Sequence, residues 1–290
     1  MKKVLVTGAA GQLGKELQLT APDRLSCHFV ERSGLDITNA DAVQDFLSEH
    51  NFDVVINAAA YTAVDKAEEN EAQALEVNAK GPENLVKALG SDQYLIHIST
   101  DFVFDGLANR PYPENSETHP ASAYGRSKLE GEKRLAGSQY ENWSIVRTSW
   151  VYSSYGANFV KTMLRFMDER EALNIVVDQV GSPTWAKGLA KLCWSMVDAQ
   201  PKGIFHWSDA GAISWFDFAH EIQRLGLELG LLKQGARLNA IPTEGYPLPA
   251  PRPAYSVLDK SKILAAFPGL ENTHWQENLQ SMLQELIRIS

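Results

Sequence analysis

Short apolar runs alternate with amphipathic stretches over the first half of the chain. Residues 3–7, 25–31, 52–60, 94–99 and 144–151 read as strands. The run at 52–60 is almost continuously apolar, as a parallel strand buried on both faces requires. Between these runs the spacing of apolar positions predicts helices over 15–20, 40–50, 65–89 and 124–136. Residues 102–123 hold too many Pro, Asn and Gly for regular structure. Strand and helix in strict alternation predict an α/β fold, a Rossmann-type doubly wound parallel sheet with helices on both faces.

After Tyr152 the texture changes. Helices are predicted from Gly156-Ala157-Asn158-Phe159 to about 170, and over 186–197, 215–229 and 275–289. Short strands fall at 175–177 and 203–207, and 245–253 is proline-rich and irregular. This half reads as a smaller mixed lobe that covers the sheet edge and leaves a cleft between.

Composition narrows the function classes. The chain has 290 residues, 44% of them hydrophobic, and a formal charge of −9. That charge argues against a nucleic-acid binder, which shows a basic stripe. An anionic ligand must then be met by local positive groups. Cys27 and Cys193 sit in apolar surroundings and read as buried thiols. The opening Met1-Lys2-Lys3-Val4-Leu5-Val6 mimics a leader but reaches a glycine turn too soon, so it reads as a strand. No apolar run is long enough to cross a membrane, and the cytoplasm is the expected location. No metal-ligand spacing occurs, and no metal is expected.

The candidate chemistry begins in Gly8-Ala9-Ala10-Gly11-Gln12-Leu13-Gly14, between a strand and a helix. Gly8 permits the tight turn, Gly11 lets the backbone approach a pyrophosphate, and Gly14 lets the helix pack on the strand. The phosphates take the free N–H groups of the helix start. A group at the end of the second strand meets the adenine ribose. Glu31 there favours NADH, whereas Arg32 with Ser33 favours NADPH, and the two signals conflict. Asp36, beside Ile37, is either an adenine contact or a helix-entry cap. The small residues Ala58, Ala59 and Ala60, then Tyr61, leave room for a flat cofactor. Asn78 is a poor helix former in a helix interior, which hints at a polar role for its side chain, and it is counted among the cofactor-binding candidates.

Thr100 and Asp101 stand where the fourth strand ends, the ligand edge of an open α/β sheet. Tyr124 and Lys128 are four apart, on one helix face. An ammonium near a phenol favours the phenolate and lowers its pKa from about 10. Such a phenol moves a proton while something else moves a hydride. Trp150 ends the fifth strand at the same edge.

These residues resemble the extended short-chain dehydrogenase/reductases. Longer motifs resemble the dTDP-4-dehydrorhamnose reductase family almost end to end: Asn57 to Glu68, Ser99-Thr100-Asp101-Phe102-Val103-Phe104, Arg147 to Tyr152, Asp178 to Thr184, and Arg252-Pro253. The resemblance implies reduction of the 4-keto group of dTDP-6-deoxy-L-lyxo-4-hexulose with NADPH or NADH, giving dTDP-L-rhamnose. Tyr124 is then the proton donor, Lys128 lowers its pKa and binds the nicotinamide ribose, and Thr100 bonds the same substrate oxygen. Val64, Asp101 and Trp150 fall where the family meets the nucleotide-sugar. Arg252 is the candidate for the diphosphate, because a guanidinium fork matches phosphate oxygens. Residues 1–152 read as the dinucleotide-binding domain and 153–290 as mainly the substrate-binding lobe, with some segments returning to the main sheet.

Some members of the family are dimers bridged by magnesium through glutamates. Glu16 matches one position, but residues 186–197 hold no glutamate and the C-terminus is short. Neither that metal nor that dimer is predicted, and the chain is expected as a monomer or homodimer. Another nucleotide-sugar reductase or epimerase of the extended relatives is an alternative; dehydratase relatives need an acid/base pair directly after the threonine, and Phe102 transfers no proton. Another class of reading is a non-catalytic regulatory subunit, like that of methionine adenosyltransferase. A pure binding module has no need for a tuned phenol.

Overall fold

The structure is a computed structural model that describes residues 1–289. Six parallel strands form the central sheet: β1 (Lys3–Thr7), β2 (Ser26–Val30), β3 (Val54–Asn57), β4 (Tyr94–Thr100), β5 (Trp143–Thr148) and β6 (Gly203–Trp207). Their order across the sheet is β6-β5-β4-β3-β1-β2. The direction of winding reverses between β1 and β3, and ligands of open α/β sheets bind at such a switch point. Val4, Val6, Val54, Ile56 and Ile96 pack on one face against helices Gln12–Leu19 and Ala186–Ala199. Leu5, Val55, Leu95 and Ile145 pack on the other, against Ala40–His50 and Gly81–Ala88. A strand covered on both faces has no solvent side, hence the continuous apolar runs.

A second core lies among helices Phe159–Glu169, Trp215–Glu228 and Trp275–Ile289, with Ala172–Val176 paired in parallel to Arg237–Ile241. Local caps fix these helices. Asn158 accepts from the Lys161 N–H, and Ser214 with Asp217 forms a reciprocal capping box. Residues 186–207 supply both a core helix and an edge strand to the main sheet. No helix of the described residues is long and apolar enough to cross a membrane.

Two differences from the sequence reading matter for the site. The helix expected over 65–89 is broken at Asn70 into Val64–Glu69 and Glu71–Leu75, and passes through a π-turn at Glu76–Lys80 before Gly81–Ala88. The first helix starts at Gln12, inside the glycine motif, three residues before the expected position.

Candidate active site

The C-terminal ends of β1, β3, β4 and β5 open into one cavity of about 1510 Å³. At one end lies the glycine turn. Gly8 has φ +70°, and a Cβ there would lie 2.6 Å from the Ala58 carbonyl; a Cβ on Gly14 would lie 2.3 Å from the Gly8 oxygen. The turn and the Ala58–Ala60 segment therefore close on each other as only glycine allows. Gly11 caps helix Gln12–Leu19 without a side-chain bond, so the first N–H groups of that helix remain for a ligand. This cradle suits a dinucleotide pyrophosphate. Leu13 and Ile37 also line it, Ile37 as a core side chain against Gly81. Gln12 ties the turn to the second lobe, since its Oε1 accepts from Asn158 at 3.0 Å.

Asn57, so far only one position of a longer motif, organises the switch point. It accepts from the Thr7 hydroxyl at 2.7 Å and from the Ala59 N–H at 3.3 Å, and its amide donates to His97 Nδ1 at 3.0 Å. One side chain thus joins three strands and shapes the turn beside the cofactor cradle.

Glu31 and Arg32 line the cavity, both exposed, where β2 ends. Arg32 Nε donates to Asp36 at 3.1 Å. Asp36 is not the helix-entry cap. Its Oδ1 accepts from the Thr38 N–H and hydroxyl, while Asn39 caps helix Ala40–His50. Asn78 is also corrected: it does not line the cavity. Its amide accepts from the Tyr61 N–H at 2.8 Å and donates to the Tyr61 carbonyl and to Ser127 Oγ. Those bonds occupy the side chain, so it orients Tyr61 rather than meeting a ligand.

Thr100, Asp101, Tyr124 and Lys128 converge at the middle of the cavity. Ser122 caps the helix of Tyr124 and Lys128, Ala123–Ala136, by accepting from the Gly125 N–H. Phe102 meets the Tyr124 ring edge to face, centroids 5.7 Å apart. Burial pushes the Tyr124 phenol up to about 12, against its hydrogen-bond interaction with Thr100, which pulls it down. The expected lowering by Lys128 is absent here. Burial takes Lys128 down to about 8, and its Nζ donates to the Ile98 carbonyl at 2.6 Å. Desolvation of the phenolate sets the direction of the shift, and the nearby Asp101 charge adds to it. Asp101 is pushed up to about 6, again chiefly by burial.

The far wall comes from the second lobe. Trp150 has φ +45° and stacks on Trp215, centroids 3.5 Å apart and 9° from parallel. A Cβ on Gly181 would lie 2.7 Å from the Trp150 indole, so the Gly181-Ser182 stretch makes room for that ring. Trp215 and Phe159 complete this aromatic wall, and nothing in the sequence separated them from core residues. Val64 lines the mouth, next to Asp65. Arg252 is not a free cation. Its guanidinium grips Asp65 through both terminal nitrogens, at 2.5 and 2.7 Å, and Nη1 also donates to the Ala250 carbonyl. Asp178 accepts from the Thr243 N–H and hydroxyl and anchors the other end of the same loop.

Trp150→Ala is expected to weaken substrate binding while costing less than the roughly 3 to 5 kcal/mol of a buried tryptophan, because the ring is only half-buried. Thermal melts and titration with dTDP check this. A full core-sized loss of stability with unchanged binding would make Trp150 a plug.

Glu16 lies outside the cavity, fully buried. Ser153 donates to it at 2.7 Å, burial raises its pKa, and the neighbouring Lys187, paired with Glu285 at 2.5 Å, opposes that rise. Among the described residues no group of His, Cys, Asp and Glu is arranged to hold a metal ion.

The family model described as the RmlD substrate binding domain matches residues 1–288. A dTDP-4-dehydrorhamnose reductase of Aggregatibacter actinomycetemcomitans is 39% identical over 97% of this chain and 98% of its own. The crystal structure of a dTDP-4-dehydrorhamnose reductase from Clostridium acetobutylicum superposes with a TM-score of 0.92 at 41% identity, covering 98% of this chain and 99% of that one. The Bacillus anthracis dTDP-4-dehydrorhamnose reductase, solved in complex with NADP, gives 0.91 at 36% identity, covering 98% and 100%. The chain belongs to the RmlD substrate binding domain family.

Proposed function

We propose that this protein reduces the 4-keto group of dTDP-6-deoxy-L-lyxo-4-hexulose with NADPH or NADH, giving dTDP-L-rhamnose. One observation carries the reading: Thr100, Tyr124 and Lys128 stand between a glycine cradle and an aromatic wall in a single cavity. When bound, the reduced nicotinamide supplies the hydride. Tyr124 holds its proton at neutral pH, since burial keeps the phenol near 12. That suits an acid in the reductive direction, because the alkoxide formed at the sugar oxygen is a stronger base than phenolate. Thr100 orients the same oxygen, and the Lys128 ammonium steadies the phenolate left behind. Trp150 and Trp215 offer a flat apolar wall to the sugar-nucleotide.

The test is oxidation of NADPH by purified protein with the keto-sugar nucleotide and no partner protein. Consumption of NADPH with formation of dTDP-L-rhamnose supports the proposal. A non-catalytic role predicts none.

Arg32 should select between cofactors. A charge-assisted bond to a 2′-phosphate is worth about 1.5 kcal/mol or more, roughly a factor of ten. Arg32→Ala should therefore raise the NADPH Michaelis constant about ten-fold and leave that for NADH nearly unchanged. If both constants move together, Arg32 does not read the phosphate.

A further inference from the structure

Behind the reacting end of the cavity lies a buried ion pair with no role so far. The side chains of Arg147 and Glu132 are 3% and 4% exposed. Arg147 Nε donates to the two Glu132 oxygens at 3.0 and 3.2 Å, and Nη2 donates to Oε2 at 2.6 Å. The guanidinium lies over the Phe104 ring at 5.1 Å. The Ser99 hydroxyl donates to Glu132 Oε1 at 2.5 Å. Ser99 and Arg147 are direct register partners on β4 and β5, so both approach the helix from one sheet face.

Tyr124, Lys128 and Glu132 follow one another at four-residue spacing along one face of helix Ala123–Ala136. Three consecutive residues of β4 meet them. The Ile98 carbonyl takes Lys128, Ser99 holds Glu132, and Thr100 bonds Tyr124. The helix is stitched to the strand at three successive turns, and at the third of them Glu132 is also paired with Arg147 of β5.

We propose that Glu132 is a positioning residue for the reduction, holding the Lys128 ammonium and the Tyr124 phenol in place against Thr100. The proposal rests on the reading that Tyr124 and Lys128 carry the proton. A buried ion pair is a weak stabiliser, since apolar side chains of similar volume often serve as well. Proximity to Lys128 gives this pair a different use. Glu132 raises the Lys128 pKa against the burial that lowers it. Its carboxylate keeps the ammonium charged around neutral pH, where the phenolate needs it. The other groups nearby do not replace it. His97, on β4, is held neutral by burial and by Lys128 itself. Asp101 acts on Tyr124 and opposes its ionisation. Glu114 offers Arg147 its backbone carbonyl, and His206 is held down to about 3 by burial and Arg147.

The test is the pH profile of kcat/KM, whose basic limb in the parent should fall near the Lys128 value of about 8. In Glu132→Gln the limb should move down by about one pH unit, with the keto-sugar Michaelis constant within about two-fold of the parent. Glu132→Asp, which keeps the charge, should return the limb toward the parent value. Since Glu132→Gln leaves Arg147 buried and unpaired, the double variant Glu132→Gln with Arg147→Met is measured beside it; it removes both charges and should fold. Its limb should shift in the same direction. A merely structural role lowers the melting temperature and leaves the limb where it was; a parental limb in either folded variant overturns the proposal. Tyr124→Phe, run in parallel, separates the two readings. Full activity there removes the catalytic assignment itself. An inactive Tyr124→Phe with a parental limb in the glutamine variants removes only the role of Glu132.

Discussion

Tyr124→Phe is expected to lower kcat by about 10² to 10⁴ while the Michaelis constant for NADPH stays nearly unchanged. Only one oxygen leaves the molecule. The ring keeps its edge-to-face contact with Phe102, Lys128 keeps its bond to the Ile98 carbonyl, and Thr100 keeps Asp101 as an acceptor at 3.1 Å. The loss therefore lies on the proton route and not on the fold or the cradle. Thr100 still orients the substrate oxygen, and water supplies the proton slowly, which sets the residual rate. Steady-state kinetics with both cofactors and cofactor titration by fluorescence check the two halves of the expectation. Turnover within a factor of a few of the parent would show that another group is the acid.

The sheet was legible because burial on both faces writes itself as unbroken apolar runs. Val4-Leu5-Val6, Val54-Val55-Ile56 and Leu95-Ile96 are all fully buried. The glycine turn was legible because φ +70° at Gly8 and backbone contact at Gly14 leave no other residue type. Strand Arg237–Ile241 was missed, since only part of it faces the second core and its polar positions hide the pattern. The π-turn was missed because Glu76–Lys80 carries nothing that distinguishes it from ordinary helix; the odd placement of Asn78 was the sole hint. Side-chain roles were harder still. The polarity of Asn78 was noticed, but its partner is the Tyr61 backbone, 17 positions away. The Tyr124–Lys128 spacing gave the pair, yet not the dominance of burial over charge in its pKa. That depends on Phe102 and the strand ends packed around the phenol, which no local spacing encodes.

The last expectation concerns Arg252, whose partner the sequence also concealed. A guanidinium has five N–H donors in a fixed plane. Asp65 and the Ala250 carbonyl take three of them, at both terminal nitrogens. The Nε–H and one Nη2 hydrogen remain, side by side, as a second fork. The Asp65 carboxyl is held below its usual range, first by its bond to Arg252, so the tie is intact at neutral pH. We therefore read Asp65 as the group that orients Arg252 and leaves its free edge for the diphosphate. Arg252→Ala should weaken dTDP binding by about 1.5 to 3 kcal/mol, the range for a hydrogen bond to a charged group. The substrate Michaelis constant should rise by roughly one to two orders of magnitude, with kcat changed far less. Arg252→Lys restores the charge but not the fork, and should recover only part of the affinity. Stability should fall by about 1 kcal/mol at most, since Asp65 is 37% exposed and regains water when its partner leaves. Calorimetric titration of dTDP, with thermal melts of the same proteins, measures both quantities. Parental dTDP affinity in Arg252→Ala would reduce Arg252 to a tie for its loop, and the diphosphate would then be held elsewhere in the cavity.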